Sequence, residues 1–159
     1  MSHGGPDFLF EAVTNSLEAG AREITIEYND HPEFTDITVT DDGEGFDCDV
    51  FSKGISTKGE NRGNGLFLLK ERADACFIKR DSGYTTLFYR LKKEKEDLLS
   101  EVLPFIFSYA DDKAVIKFVY HSKVINESVC SDELKAEFGS LTSVKTLSTL
   151  KKRFSMFDL

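Results

Sequence analysis

Ile37-Thr38-Val39-Thr40-Asp41-Asp42-Gly43-Glu44-Gly45 is the stretch on which the reading of this chain depends. Residues Thr35 to Thr40 alternate, with Ile37 and Val39 on one side, which predicts a half-buried strand. The strand ends in a carboxylate followed by two glycines. An ionised Asp41 only accepts hydrogen bonds, so it suits an exocyclic amine such as the adenine 6-amino group. Gly43 and Gly45 let the backbone turn and leave room for a flat group to lie close. Taken alone, the same residues serve equally as a glycine turn between two elements, whereas the ligand spacing of a calcium loop is absent.

Towards the N-terminus, Arg22 to Tyr28 alternates at Ile24, Ile26 and Tyr28, and the polar Asn29-Asp30-His31-Pro32-Glu33 predicts a hairpin loop to the strand just described. Before it, Phe8, Leu9, Ala12, Val13, Ser16 and Leu17 fall near one face of a 3.6-residue period, opened by Pro6 and closed by Gly20. Glu11 and Asn15 stand four apart on that helix and project together, away from the Leu9/Val13/Leu17 stripe. Such a pair is ordinarily a solvated polar face; its interest comes from what surrounds it.

Towards the C-terminus, Ser56-Thr57-Lys58-Gly59-Glu60-Asn61-Arg62-Gly63-Asn64-Gly65-Leu66 is a basic loop whose Gly63-Asn64-Gly65 opens onto a second helix marked by Leu66, Leu68, Leu69 and Ala73. Backbone N–H groups and the positive end of that helix form a phosphate site, and Lys58 and Arg62 add charged donors. Neither the Walker spacing nor the GxGxxG of the dinucleotide fold is present, so those two nucleotide folds are disfavoured. Cys76 to Lys79 and Thr85 to Leu91 then predict a strand pair turning at Asp81-Ser82-Gly83.

In this order the segments resemble the ATPase superfamily shared by sensor histidine kinases, type II topoisomerase ATPase domains, heat-shock 90 chaperones and MutL repair proteins. The run from Glu11 through Asn15 to Ala21 is similar to its N box, Asp41 to Gly45 to its G1 box, Gly63 to Leu68 to its G2 box, and Ser82 to Leu87 to its closing G3 element. Residues 51–66 look most like the catalytic domain of citrate and dicarboxylate sensor kinases. The resemblance implies an α+β fold: a two-layer sandwich with a mixed, mainly antiparallel sheet and helices on one face. It also implies ATP and Mg²⁺ as ligands. Asn15 would help hold the Mg²⁺, Asp41 would read adenine beside Gly43 and Gly45, and Lys58, Arg62, Gly63, Gly65 and Leu66 would meet the phosphates. Thr85 or Thr86 would support the adenine edge, and Glu11 would be the general base. The pattern departs from the superfamily at Phe67 and Tyr84, where glycine is common, and in a short loop between Gly45 and Gly63.

Composition agrees with a small anionic ligand met locally. The 159 residues are 40% hydrophobic and 30% charged, with 14 Phe and no Trp, as in a soluble globular domain. The net charge of −8 leaves no diffuse basic surface for nucleic acid or an anionic membrane. Residues 23–49 carry ten acids and no base, whereas residues 53–72 carry five bases and two acids. No apolar run is long enough to span a bilayer, and residues 1–6 lack the pattern of a signal peptide, so a cytoplasmic protein is expected. Cys48, Cys76 and Cys130 have no metal or redox spacing and are expected as free thiols.

Ten of the eleven glycines and most of the negative charge lie before Lys93, which divides the chain into an ATP-binding domain at 1–92 and a small α+β extension at 93–159. The extension predicts a helix over Asp97 to Tyr109, interrupted or kinked near Pro104, and strands at Ala114 to Tyr120 and Val124 to Val129. A short helix capped by Ser131 and ended by Gly139 follows, then a last one marked by Val144, Leu147 and Leu150. It resembles the extension of small stand-alone ATP-binding proteins encoded near iron hydrogenase components, and serves either to cover the sheet edge or to dock a partner. His3, His31 and His121 stand in or beside loops, so a self-phosphorylating histidine kinase is not expected. The Glu11/Asn15 form of the N box is similar to anti-sigma-factor serine kinases and to ATP-hydrolysing members. ATP-dependent phosphorylation of a protein partner, or slow hydrolysis in a regulatory role, is the expected activity; the alternative is a non-catalytic module that senses ATP or ADP.

Overall fold

The computed structural model of the chain describes residues 5–44, 63–93, 98–111 and 114–158. Apolar spacing of three and four places Phe8, Leu9, Ala12, Val13 and Ser16 on the buried side of the first helix, α1 (Gly5–Glu18). Gly20 follows its end at φ +85°, a conformation that costs an L side chain strain. Strands β1 (Glu23–Asp30) and β2 (Phe34–Asp41) form the expected antiparallel hairpin, closed where the His31 N–H donates to the Phe34 carbonyl at 3.0 Å. Helix α2 (Gly63–Arg72) leads into a second hairpin, β3 (Ala75–Asp81) and β4 (Tyr84–Lys92). Its two-residue turn puts both Ser82 and Gly83 at positive φ, the geometry that matches the twist of paired strands.

The remaining elements are α3 (Leu99–Ser108), β5 (Val115–His121), β6 (Asn126–Cys130), α4 (Ser131–Phe138), α5 (Val144–Arg153) and a 3-10 turn over Phe154–Asp158. All six strands join one sheet in the order β3-β4-β2-β1-β5-β6, antiparallel except for the β1/β5 pair. Ile24, Ile26 and Tyr28 of β1, Ile37 and Val39 of β2, Leu87, Tyr89 and Leu91 of β4, and Ile116, Phe118 and Tyr120 of β5 are buried at alternate positions, which defines one covered face. They join the buried side chains of the helices in a single apolar core. The mixed α+β fold is therefore as expected.

Three local expectations are corrected. Helix α3 runs through Pro104 and is not interrupted there: the one N–H that proline lacks is outweighed by burial of Val102, Leu103, Ile106 and Phe107. Ser131 does not cap α4. Its hydroxyl points into the sheet and accepts from the Ile116 N–H at 2.9 Å, while Cys130 occupies the cap position without a side-chain bond. In α5 the buried positions are Thr146 and Leu150; Val144, directly after the Ser143 cap, is exposed.

Residues on both sides of the compositional step at 92/93 share this sheet and core. β5 lies beside β1 and covers what would otherwise be an unpaired strand edge. The Tyr120 hydroxyl donates to Asp30 at 2.6 Å, and Lys93 forms an ion pair with the same carboxylate. Burial, then the bond to Asp30, pushes the Tyr120 phenol above its ordinary pKa. At the end of the described chain, Asp158 accepts the Ser100 N–H at 3.1 Å and its hydroxyl at 2.5 Å, satisfying the start of α3. Cys76 and Cys130 are free thiols, and Cys48 lies outside the described residues. No helix among the described residues is long and apolar enough to cross a membrane.

Candidate nucleotide site

Where β2 ends against α1 the sheet opens into a cleft. It is lined by Ala12, Asn15 and Ser16 from α1, Val39 and Asp41 from β2, Ile78 from β3, and Thr85 and Leu87 from β4. The aliphatic residues make an apolar slot, and Asn15, Ser16, Asp41 and Thr85 place polar groups on its walls, the usual make-up of a small-molecule site.

Asp41 is only 5% exposed, and a buried carboxylate needs partners. Among the described residues it has two: the Ser16 hydroxyl donates to Oδ2 at 2.6 Å, and the Gly43 N–H donates to Oδ1 at 2.8 Å. Each oxygen keeps acceptor capacity, because an ionised carboxylate offers about four lone-pair sites. Asp41 and Thr85 are register partners on adjacent strands, so their side chains stand side by side on the covered face.

The glycine that follows is required by a close approach. A Cβ on Gly43 would lie 2.9 Å from the Ala19 carbonyl oxygen and 3.1 Å from Asp41 Oδ1. The Glu44 N–H donates to that same Ala19 carbonyl at 2.8 Å, tying the loop after β2 to the end of α1. Asp42 faces the other way. It accepts the N–H groups of Arg22 at 2.7 Å and Glu23 at 3.0 Å. Those bonds, Glu23's first, hold its carboxyl below the ordinary aspartate pKa. The two adjacent aspartates thus divide the work: one faces the cleft and the other fastens the turn.

Of the residues singled out in the sequence, the structure brings Asn15, Asp41 and Thr85 to one cleft, with Gly43 directly behind Asp41. Glu11 lies one turn before Asn15 on α1, half-buried, with Oε2 shielded from solvent. Thr86 is not at the cleft. Strand alternation turns it to the opposite face, where its hydroxyl is 3.5 Å from that of Thr40. Gly63 opens α2, and Gly65 and Leu66 follow in its first turn, so the glycine pair is part of the helix start rather than a loop before it. Gly45, Lys58 and Arg62 lie outside the described residues.

Residues 7–65 match the family model described as histidine kinase-, DNA gyrase B-, and HSP90-like ATPase. Comparison with curated proteins finds no match. The matched stretch takes in α1 from its third residue on, the β1/β2 hairpin, Asp41 and the glycines as far as Gly65, which supports ATP binding at the level of this superfamily. It covers less than half of the chain, and it does not reach Thr85 or any residue of the extension.

Two residues that orient the polar groups of the cleft escaped the sequence reading. Ser16 was legible only as part of the apolar stripe of α1, although a hydroxyl at a core position requires a partner, and here that partner is Asp41. Arg80 stands on β3, outside every motif. Its Nη1 donates to the Thr85 hydroxyl at 2.6 Å and to the Gly43 carbonyl at 3.0 Å. No local pattern marks it, because its partners lie on two other segments.

Proposed function

We propose that the protein binds an adenine nucleotide with Mg²⁺ in this cleft and uses ATP to phosphorylate a protein partner or to hydrolyse slowly in a regulatory role. The observation that carries the reading is Asp41: a buried carboxylate, oriented by Ser16 and Gly43, that faces an apolar slot and retains acceptor capacity. An exocyclic amine on a flat ring satisfies it, and Val39, Ile78 and Leu87 supply the apolar surface for the ring.

The donor set on α1 fits the rest of the ligand. Mg²⁺ commonly takes few protein oxygens and fills its shell with phosphates and water, and the carboxamide oxygen of Asn15 is a hard donor of that kind. When bound, the ion would neutralise phosphate charge. Glu11, one turn away, would take the proton from an attacking water or protein hydroxyl. Lys58, Arg62 and the N–H groups at the start of α2 would hold the phosphates.

Calorimetric titration with ADP and ATP in the presence of Mg²⁺ tests the site directly. The wild-type chain binds both, and Asp41→Asn, which replaces an acceptor oxygen with an amide donor, weakens binding by at least roughly tenfold. Labelled ATP then tests the chemistry. Glu11→Ala retains nucleotide binding and loses turnover if the protein is an enzyme, whereas partner regulation that survives Glu11→Ala assigns the site to sensing. No binding at millimolar nucleotide would end the reading.

A further inference from the structure

We infer that Arg80 is a positioning residue that sets the base selectivity of the cleft, by fixing the Thr85 hydroxyl as a hydrogen-bond donor to the base. The inference rests on the proposal that a purine nucleotide occupies this site.

A threonine hydroxyl has one proton and two lone pairs, and left free it donates or accepts as its surroundings demand. Here it is not free. A guanidinium has no acceptor, so the 2.6 Å contact from Arg80 Nη1 occupies a lone pair on Thr85 Oγ1. The hydroxyl proton must then point elsewhere. Thr85 is 4% exposed and lines the cleft beside Asp41, and among the described residues it donates to nothing. Its proton is therefore available to the cleft. The same Arg80 nitrogen holds the Gly43 carbonyl at 3.0 Å, and the Gly43 N–H holds Asp41 Oδ1 at 2.8 Å. One cation thus braces both polar walls of the slot.

The result is an acceptor, Asp41, beside a donor, Thr85, on neighbouring strands in direct register. That pair complements a purine edge with an amino group next to an unprotonated ring nitrogen, directly or through one water. It opposes the reverse edge, an oxo group next to a ring N–H. Hypoxanthine has that reverse edge and otherwise the shape of adenine, so ADP against inosine diphosphate isolates the effect. With Arg80 in place, accepting a ring N–H would leave the buried hydroxyl proton with no acceptor among the described residues; without Arg80 the proton can turn into the vacated direction, and discrimination falls.

The experiment measures ADP and inosine diphosphate binding by calorimetry on the full chain and on Arg80→Met, Arg80→Lys, Thr85→Val and the Arg80→Met/Thr85→Val pair. Wild type favours ADP, and Arg80→Met cuts the ADP/inosine diphosphate ratio by about tenfold, the scale of one hydrogen bond. Arg80→Lys keeps a donor and restores most of the ratio. In the double variant the two losses in the ratio are clearly less than additive, because Arg80 acts mainly through that hydroxyl; full additivity overturns the inference. If Arg80→Met does not fold, Arg80→Ala takes its place in the same comparison. A variant that weakens both nucleotides equally, or a wild type that binds both equally, overturns the inference and leaves nucleotide binding standing. A wild type that binds neither overturns the nucleotide reading itself, and this inference with it.

Discussion

Asp41 and Asp42 show how little separates two roles at the level of one residue. Strand alternation aims the first into the cleft, and the chain's departure from the strand aims the second back at the Arg22 and Glu23 N–H groups. The carboxylate at a strand end was legible in the sequence; which of two consecutive aspartates faces the slot follows from the β2/β4 register. Gly43 carries a prediction at this scale. The sequence suggests room for a ligand, but the structure gives a nearer reason, since a Cβ would meet backbone atoms of Ala19 that cannot swing away. Gly43→Ala should therefore lower stability by about 1–3 kcal/mol, the range for overpacking. It should also weaken ADP binding, by shifting the N–H that orients Asp41. Chemical denaturation and ADP titration of the same variant check both; an unchanged midpoint would contradict the packing account.

Among the elements, both hairpins and the helix between them were legible, because each is set by local periodicity and local turn chemistry. The extension was less so. Ser131 reads as a helix cap in sequence because the residues after it are helical, yet the hydroxyl serves β5. The Ile116 N–H that donates to it is buried. Ser131→Ala should leave that donor unsatisfied and cost about 1–3 kcal/mol, more than loss of an ordinary exposed cap residue on a short helix. Ser131→Thr, which keeps the hydroxyl, should recover part of it. Thermal unfolding followed by far-ultraviolet circular dichroism separates the two variants.

For the whole molecule, the decisive contact is β1 with β5, a parallel pair joining segments separated by most of the chain. It makes one sheet of the regions before and after residue 93. The C-terminal 3-10 turn completes the join: Phe157 packs against Tyr120 at 4.6 Å, Phe118 at 5.5 Å and Phe154 at 6.0 Å between ring centroids. α3 in turn touches α1, α5 and that turn. Phe157→Ala should accordingly cost about 3–5 kcal/mol, as for other buried aromatic truncations. It should displace a single cooperative transition, seen alike by circular dichroism and tyrosine fluorescence. Two separated transitions would show that the extension unfolds by itself. The sequence by itself determined the order of elements, the α+β class and the segments that carry Asn15, Asp41 and Thr85, since periodicity, turn residues and motif order are local properties of the chain. Only the tertiary structure decided that Thr85 and not Thr86 faces the slot, that Ser16 and Arg80 orient its polar walls, and that the extension continues the sheet. Those outcomes depend on register and on contacts between residues far apart in sequence, and no local pattern carries them.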